Sequence, residues 1–517
     1  MNRYISLATT PYTVQDVLSE LLKASSTKKK LPIVGMFLCQ FDMRKGNVKI
    51  WSQLNEQYKD NELVLENIEF KTLPSGLHAS SEDVITFTIP RNSLANEDVR
   101  NEPFYGVAYY NQNSYDIMEG HSEIDRSKVR MYAFGVIVNP VEKVKDNPFA
   151  SITMVNKYID NLEDTLKEWL NLNDDLNFAI FEEFFTENST RENQSQILDS
   201  VVEENITINS SRRRHMVEYL PFWFRKFGPL IFTIWKECLL DKRILILNGS
   251  GESLETCNSL CFYMSLLSMK TNEISTDQKF ITPLFTVGTT DIDSLKRLSH
   301  YSYIACTNDE ILADKQELYD ILIRLPSHTM ESEEEAPVKI FTNNGTQIKA
   351  TRNDFEQYEL FVKEHLHEEV SGSLKRSCLN VTEPVSWSQF FIDSAYCIAT
   401  AGTVAAPFHF HPEVIDIGDI NEASDKADGI SSIAEPLKFS LFFNIKTKRL
   451  YDALETILNE NESLDSDGPI HISSHSLLKL NLDCFSSQDK QFVEQFCQLY
   501  FNRKIAIDYY EYFKAFC

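Results

Sequence analysis

The stretch from Trp223 to Ser268, WFRKFGPLIFTIWKECLLDKRILILNGSGESLETCNSLCFYMSLLS, constrains the fold more than any other part of the chain. Pro229 suits a first helical turn, where a missing N–H costs nothing, and Leu230, Ile231, Ile234, Leu239 and Leu240 supply apolar faces behind it. Arg243 to Leu247, RILIL, is a short apolar run of the kind that forms a strand buried on both faces. Asn248 to Gly251 make a turn, and Ser253 is placed to cap a helix running through Ser268. A strand, a glycine turn and a helix start can cradle a phosphate. NGSGES, however, lacks the lysine and hydroxyl residue of a phosphate loop and the third glycine of a dinucleotide fingerprint. An ordinary strand-to-helix connection is therefore expected.

The 517 residues suffice for two to four domains, and a 43% hydrophobic, 12% aromatic composition builds sizeable cores. With 76 acidic against 50 basic residues, the net charge of -26 repels phosphate backbones and anionic lipid, which argues against nucleic-acid binding. The short basic runs Lys28 to Lys30 and Arg212 to Arg214 read as solvated loops. Ten cysteines without a CxxC pair, and no secretory signal, point to free thiols in a reducing cytosol. Cys257 and Cys261 share one helix face but have no partner pair, so they read as buried thiols, and His409 and His411 read as a surface turn. Cys517 is the last residue and so cannot be a prenylation box. Phe390 to Phe410 is just long enough to span a bilayer, but Asp393, Gly402 and Pro407 interrupt it, and a buried helix ending near Gly402 is expected instead. No transmembrane helix, metal or cofactor is predicted.

Hydrophobic patterning divides the chain into three parts. In the first, strands are expected at Ile33 to Gln40, Val48 to Trp51, Asp83 to Ile89, Phe104 to Tyr110 and Arg130 to Val138, with a turn at Lys45, Gly46 and Asn47. Ile152, Val155, Ile159, Leu162, Leu166 and Trp169 then recur at helical spacing, which predicts one helix packed on that sheet. Thr186 to Arg214 is polar and reads as a linker. From Met216 to Pro326, strand candidates at Pro283 to Val287, Tyr301 to Cys306 and Leu318 to Leu325 join RILIL in an α/β layer of mostly parallel strands. An acidic loop is expected over Ser327 to Pro337, and the remainder reads as helical at Asn353 to Glu369, Trp387 to Gly402, Asn444 to Asn459 and Gln488 to Phe501. The implied modules are 1–185, a linker at 186–215, 216–326, an acidic connection at 327–350, and 351–517, in a combined α/β and α+β fold class.

This order of modules resembles the tripartite architecture of DENN-domain proteins. Several segments are similar to the LCHN and AVL-nine-related branch: IVGMFLCQFDMRKGNVKIW with IEFKTLPSGLH, PLFTVGTTDIDSL with YSYIACTNDEIL, and WSQFFIDSAYCIATAG with DKQFVEQFCQLYFNRKI. The resemblance implies a longin-like first domain, a central α/β domain, a helical downstream module and guanine-nucleotide exchange on a Rab-type small GTPase in membrane traffic. Exchange needs no covalent chemistry from the protein: a factor that prefers the nucleotide-free GTPase weakens nucleotide binding by the same coupling free energy. Consistent with that, there is no nucleophile elbow, HExxH or complete phosphate loop. A second class stays open, a DENN-fold scaffold or effector that binds a GTPase or trafficking complex without exchange. Either would be cytoplasmic, recruited transiently to a membrane surface by partners. Gly288, Thr290, Asp291 and Asp293, in GTTDID, are the candidate GTPase contacts, since they combine a permissive glycine with hydroxyl and carboxylate groups. The competing reading of the same residues is a helix cap, in which Thr290 or Asp291 satisfies backbone N–H groups.

Overall fold

The computed structural model describes residues 14–508 apart from 27–29, 59–62, 74–80, 92–102, 114–129, 141–146, 173–175, 190–212, 250–251, 271–279, 327–336, 367–371, 385–389, 392–393, 395–397, 399–430, 462–467 and 474. Mixed α/β structure is built around one large sheet. Its strands are β1 (Ile33–Asp42), β2 (Gly46–Leu54), β3 (Glu82–Ile89), β4 (Phe104–Asn113), β5 (Arg130–Val138), β6 (Ile244–Leu247), β7 (Thr282–Thr286), β8 (Tyr303–Thr307), β9 (Ile321–Arg324), β10 (Lys339–Thr342) and β11 (Gln347–Ile348). They lie in the order β11-β10-β9-β6-β8-β7-β3-β4-β5-β1-β2.

The two ends of this sheet follow different rules. β1 to β5 are antiparallel, and the β1–β2 turn is closed by Gly46 at φ 78 and by Asp42 Oδ1, which accepts the Arg44 and Lys45 N–H groups at 2.8 Å each. β6 to β9 are parallel, as the apolar runs predict. Alternate residues of RILIL face opposite sides: Ile244 and Ile246 join the main core, whereas Leu245 and Leu247 join a second core with Val287, Leu295, Tyr303 and Leu318. The two halves meet where β3 and β7 run antiparallel, with Phe87 opposite Phe285 as their one paired position.

Three features differ from the periodicity reading. The single helix expected over 152–169 is two, Pro148–Asn156 and Ile159–Asn171. The break arises where the Tyr158 N–H bonds three residues back to Val155 O, which brings the Tyr158 hydroxyl to Leu31 O at 2.6 Å. A helix at Ala179–Asn188 runs past the expected start of the linker, because Phe181 has the Trp51, Phe134 and Trp169 rings to bury against and Phe185, one turn on, is buried as well. Beyond residue 337 the chain forms the β10–β11 hairpin, which extends the sheet antiparallel to β9.

Downstream, the described helices are Arg352–His365, Gly372–Asn380, Ser431–Asn461, His475–Lys479 and Ser487–Tyr500, with a small parallel pair, β12 (Ile470–Ser473) and β13 (Ile505–Asp508). Of the Trp387 to Gly402 helix only Phe390, Phe391, Ser394 and Ile398 fall within the described residues, all four helical. Residues 190–212 of the expected linker, 327–336 of the expected acidic loop, His409, His411 and Cys517 lie outside them. Among the described residues no helix is long and apolar enough to cross a membrane.

Candidate functional site

The glycine turn after β6 is closed by the protein's own side chains. Ser253 accepts the Thr256 N–H at 3.1 Å, as the sequence predicts, so the helix Leu254–Leu267 starts where expected. Two further N–H groups of its first turn, those of Leu254 and Glu255, are taken by the buried carboxylate of Asp83 on β3, at 2.8 and 3.1 Å. A third oxygen contact, from the Val84 N–H at 2.8 Å, fixes that carboxylate in place. Burial nevertheless pushes the Asp83 carboxyl above its ordinary value, with the three N–H donors opposing. Where a phosphate would sit, the helix N-terminus already holds an anion. Asn248 ties the turn by donating to Glu252 O at 2.6 Å and accepting its N–H at 3.3 Å.

Charge also bridges the two halves outside Asp83. Arg213 pairs with Glu163 at 2.9 Å and with Glu255 at 3.2 Å, and Lys167 pairs with Glu82 at 3.1 Å and Glu163 at 2.7 Å. Arg213, which the sequence offers as a loop cation, is thus a tie between the Ile159–Asn171 and Leu254–Leu267 helices. Cys257 and Cys261 are buried, with their thiols raised by desolvation, and they pack beside Cys306. Among the described residues no three His, Cys, Asp or Glu side chains are grouped as a metal ion would require.

On the other side of the β3–β7 junction lies the GTTDID turn. Asp291 is committed at both oxygens: Oδ2 accepts the Gly288 N–H at 2.9 Å and Oδ1 pairs with Lys71 at 2.9 Å. Lys71, on the helix Ile68–Thr72, also donates to Thr88 O at 3.0 Å. Thr88 Oγ1 donates to Leu284 O at 3.3 Å, so one lysine and one threonine clasp the helix, β3 and β7 together. Gly288 is required here by close approach, since a Cβ would stand 3.1 Å from Phe70 O. Thr290 and Asp293 are exposed at this turn, and Phe70, 45% exposed, stands beside it. The four candidate residues therefore separate into two that shape the turn, Gly288 and Asp291, and two that face solvent.

His215 supplies a titratable group under the Leu254–Leu267 helix. Its Nδ1 accepts the Val217 N–H at 3.2 Å, so Nε2 carries the proton and donates to Thr153 Oγ1 at 3.0 Å. Burial, helped by the Lys157 ammonium, lowers its pKa from 6.5 to about 4. The folded state then binds this proton less readily than the unfolded chain. The associated stability is full above pH 6.5 and is lost as pH falls through 6.5 towards 4, by up to about 3 kcal/mol. His215→Asn keeps a cap acceptor without the titration. Urea unfolding of this variant at a series of pH values between 4 and 7 is expected to show a shallower pH slope than the parent.

Compared with known proteins, residues 36–335, more than half of the chain, match the model for DENN domain-containing protein 11. The chain belongs to that DENN family. Residues 411–512 match a Domain of unknown function (DUF4484). The DENN family members DENN domain-containing protein 11 of Danio rerio and of Xenopus laevis are 25% identical over 311 residues and 26% identical over 299. Those alignments span 57% and 56% of this chain, and 54% and 59% of the relatives' own lengths. "Uncharacterized protein ANR2" of Saccharomyces cerevisiae is 39% identical over 503 residues, 95% of each chain.

The site residues with buried partners were invisible to sequence reading. Asp83 and Lys71 stand in strand-like and helix-like runs with ordinary polar neighbours, and their partners lie 171 and 220 positions away. Local cap signals marked Ser253, which accepts the Thr256 N–H, and Asp291, three residues after the Gly288 whose N–H it accepts.

Proposed function

We propose that this DENN-family chain is a guanine-nucleotide exchange factor for a Rab-type small GTPase, of the LCHN and AVL-nine-related branch. In this reading a longin-like module, a central α/β module and a helical downstream module divide the chain tripartitely, and the protein is cytoplasmic with transient recruitment to a membrane. The observation that carries the reading is the β3–β7 junction: two differently built half-sheets meet at one paired position, and Thr290, Asp293 and Phe70 line its solvent side. A GTPase seated there would touch both halves, with Thr290 and Asp293 as direct contacts and Gly288 and Asp291 holding the turn. Each 1.4 kcal/mol of preference for the nucleotide-free form gives about tenfold weaker nucleotide binding, and an extended interface supplies several such steps.

Release of fluorescent GDP from a purified Rab panel tests this directly. Acceleration for at least one Rab is expected, and a complete panel without acceleration would sink the proposal. Thr290→Lys with Asp293→Lys is expected to lower the accelerated rate about tenfold, a loss of 1.4 kcal/mol, with an unchanged melting temperature because both positions are exposed. The commitment of Asp291 to Lys71 and Gly288 supports a second reading, a scaffold or effector that binds without exchange, since it leaves this turn less free charge to offer. Pull-down favouring the GTP-loaded form, with an unaltered release rate, distinguishes it.

A further inference from the structure

The helix Leu230–Leu239 presents an aromatic face to the downstream helices. Phe232 packs on Phe442 and Phe443, and Trp235 on Phe443 and Phe492. Into this face are set four buried charges. Lys236 Nζ lies 2.8 Å from Asp354 Oδ2 and 2.5 Å from Asp489 Oδ1, and Lys446 stands over the Phe232 and Trp235 rings while donating to Gln357. The three members of the ion triad are between 1% and 6% exposed at their side chains. Asp354 also accepts the Thr351 N–H at 3.1 Å, and Asp489 accepts the Asp483 N–H at 2.7 Å.

Such a cluster is a poor source of net stability, because each desolvated charge costs several kcal/mol and the attraction only roughly repays it. It is an effective discriminator. Rows of Phe and Leu on a helix can pack in neighbouring registers, but a slip of one turn moves a side chain by about 5.4 Å. That would separate Lys236 from its carboxylates and leave three unpaired charges in a dry aromatic layer. We propose that the Lys236, Asp354 and Asp489 cluster is a register key: it selects one docking of the downstream helices on the central module and contributes little net stability. The key joins the part of the chain matched as a DENN domain to residues beyond it, with Asp489 inside the second matched segment.

The test compares Lys236→Met with the triple variant Lys236→Met, Asp354→Asn and Asp489→Asn, in which the amides keep the two backbone acceptors. The chain is labelled with 5-fluorotryptophan, and the Trp235 resonance is assigned through Trp235→Phe. Lys236→Met alone is expected to lower the urea midpoint by about 1 M, because two carboxylates lose their cation. The triple variant leaves the Lys446 ammonium on Gln357 and over the Phe232 and Trp235 rings, and it is expected to recover the parental midpoint and to split the single Trp235 line into two or more. A triple variant as unstable as Lys236→Met, or one that does not fold, overturns the proposal by showing that the charges supply stability. A parental midpoint with one unshifted Trp235 line overturns it by showing that the register needs no key. If Lys236→Met yields no folded protein, Asp489→Asn serves as the single-site comparison.

Discussion

Asp83→Ala is expected to destabilise the fold by about 3 kcal/mol, measured as a lowered urea midpoint, and to loosen the start of the Leu254–Leu267 helix first. The carboxylate accepts three backbone N–H groups, two of them from a helix terminus 171 and 172 residues away. Alanine leaves those donors buried without an acceptor, and a hydrogen bond to a charged group contributes about 1.5–3 kcal/mol while an orphaned buried donor costs about 1–3. The loss of Asp83's own desolvation cost offsets part of this, so the net loss lies near the lower end of that range. Asp83→Asn preserves one acceptor oxygen and is expected to lose about half as much. Hydrogen exchange should report faster amide exchange at Leu254 and Glu255 than in β6. Uniform exchange along the whole helix would show instead that Asp83 has no local role.

Local regularities were legible in the chain. The RILIL strand, the Ser253 cap, the Gly46 turn and the parallel grouping of β6 to β9 follow from side-chain period, turn chemistry and capping, all of which act within a few residues. The continuity of the sheet was not legible. β3 and β7 are nearly 200 positions apart, and nothing in either run marks the other as a neighbour. The buried ion pairs share this property: Lys236 sits in a mainly apolar helix, LIFTIWKECL, beside Glu237, and neither its charge nor that neighbour identifies Asp354 or Asp489 as its partners. The split of the 152–169 helix likewise depends on Leu31 O being present for Tyr158, a tertiary partner that the apolar stripe cannot encode. For the candidate site, the composition of GTTDID marked a structured polar turn, but whether each carboxylate faces inward or outward depended on Lys71.

That dependence makes Lys71→Glu the variant with the largest expected effect on activity. It sets a carboxylate against Asp291, about 3 Å from where the ammonium stood, and removes the donor to Thr88 O. Like charges at that separation in a half-buried site repel, and the turn carrying Thr290 and Asp293 is expected to move away from the helix Ile68–Thr72. Stability should fall by about 2 kcal/mol, less than for a fully buried pair because solvent reaches Asp291. If the proposed exchange uses both halves of the sheet at once, the GDP-release rate should fall far more than stability does, by about a hundredfold or 2.7 kcal/mol of interface energy. Lys71→Glu combined with Asp291→Lys restores the ion pair in reverse but not the acceptor for the Gly288 N–H. The double variant should therefore regain part of the rate, and Lys71→Met should fall between parent and Lys71→Glu. Equal loss of rate in the double variant would mean that the Asp291 carboxylate, through the Gly288 N–H or the GTPase, matters more than its pairing with Lys71, and an undiminished rate in Lys71→Glu would mean that this turn lies outside the exchange interface.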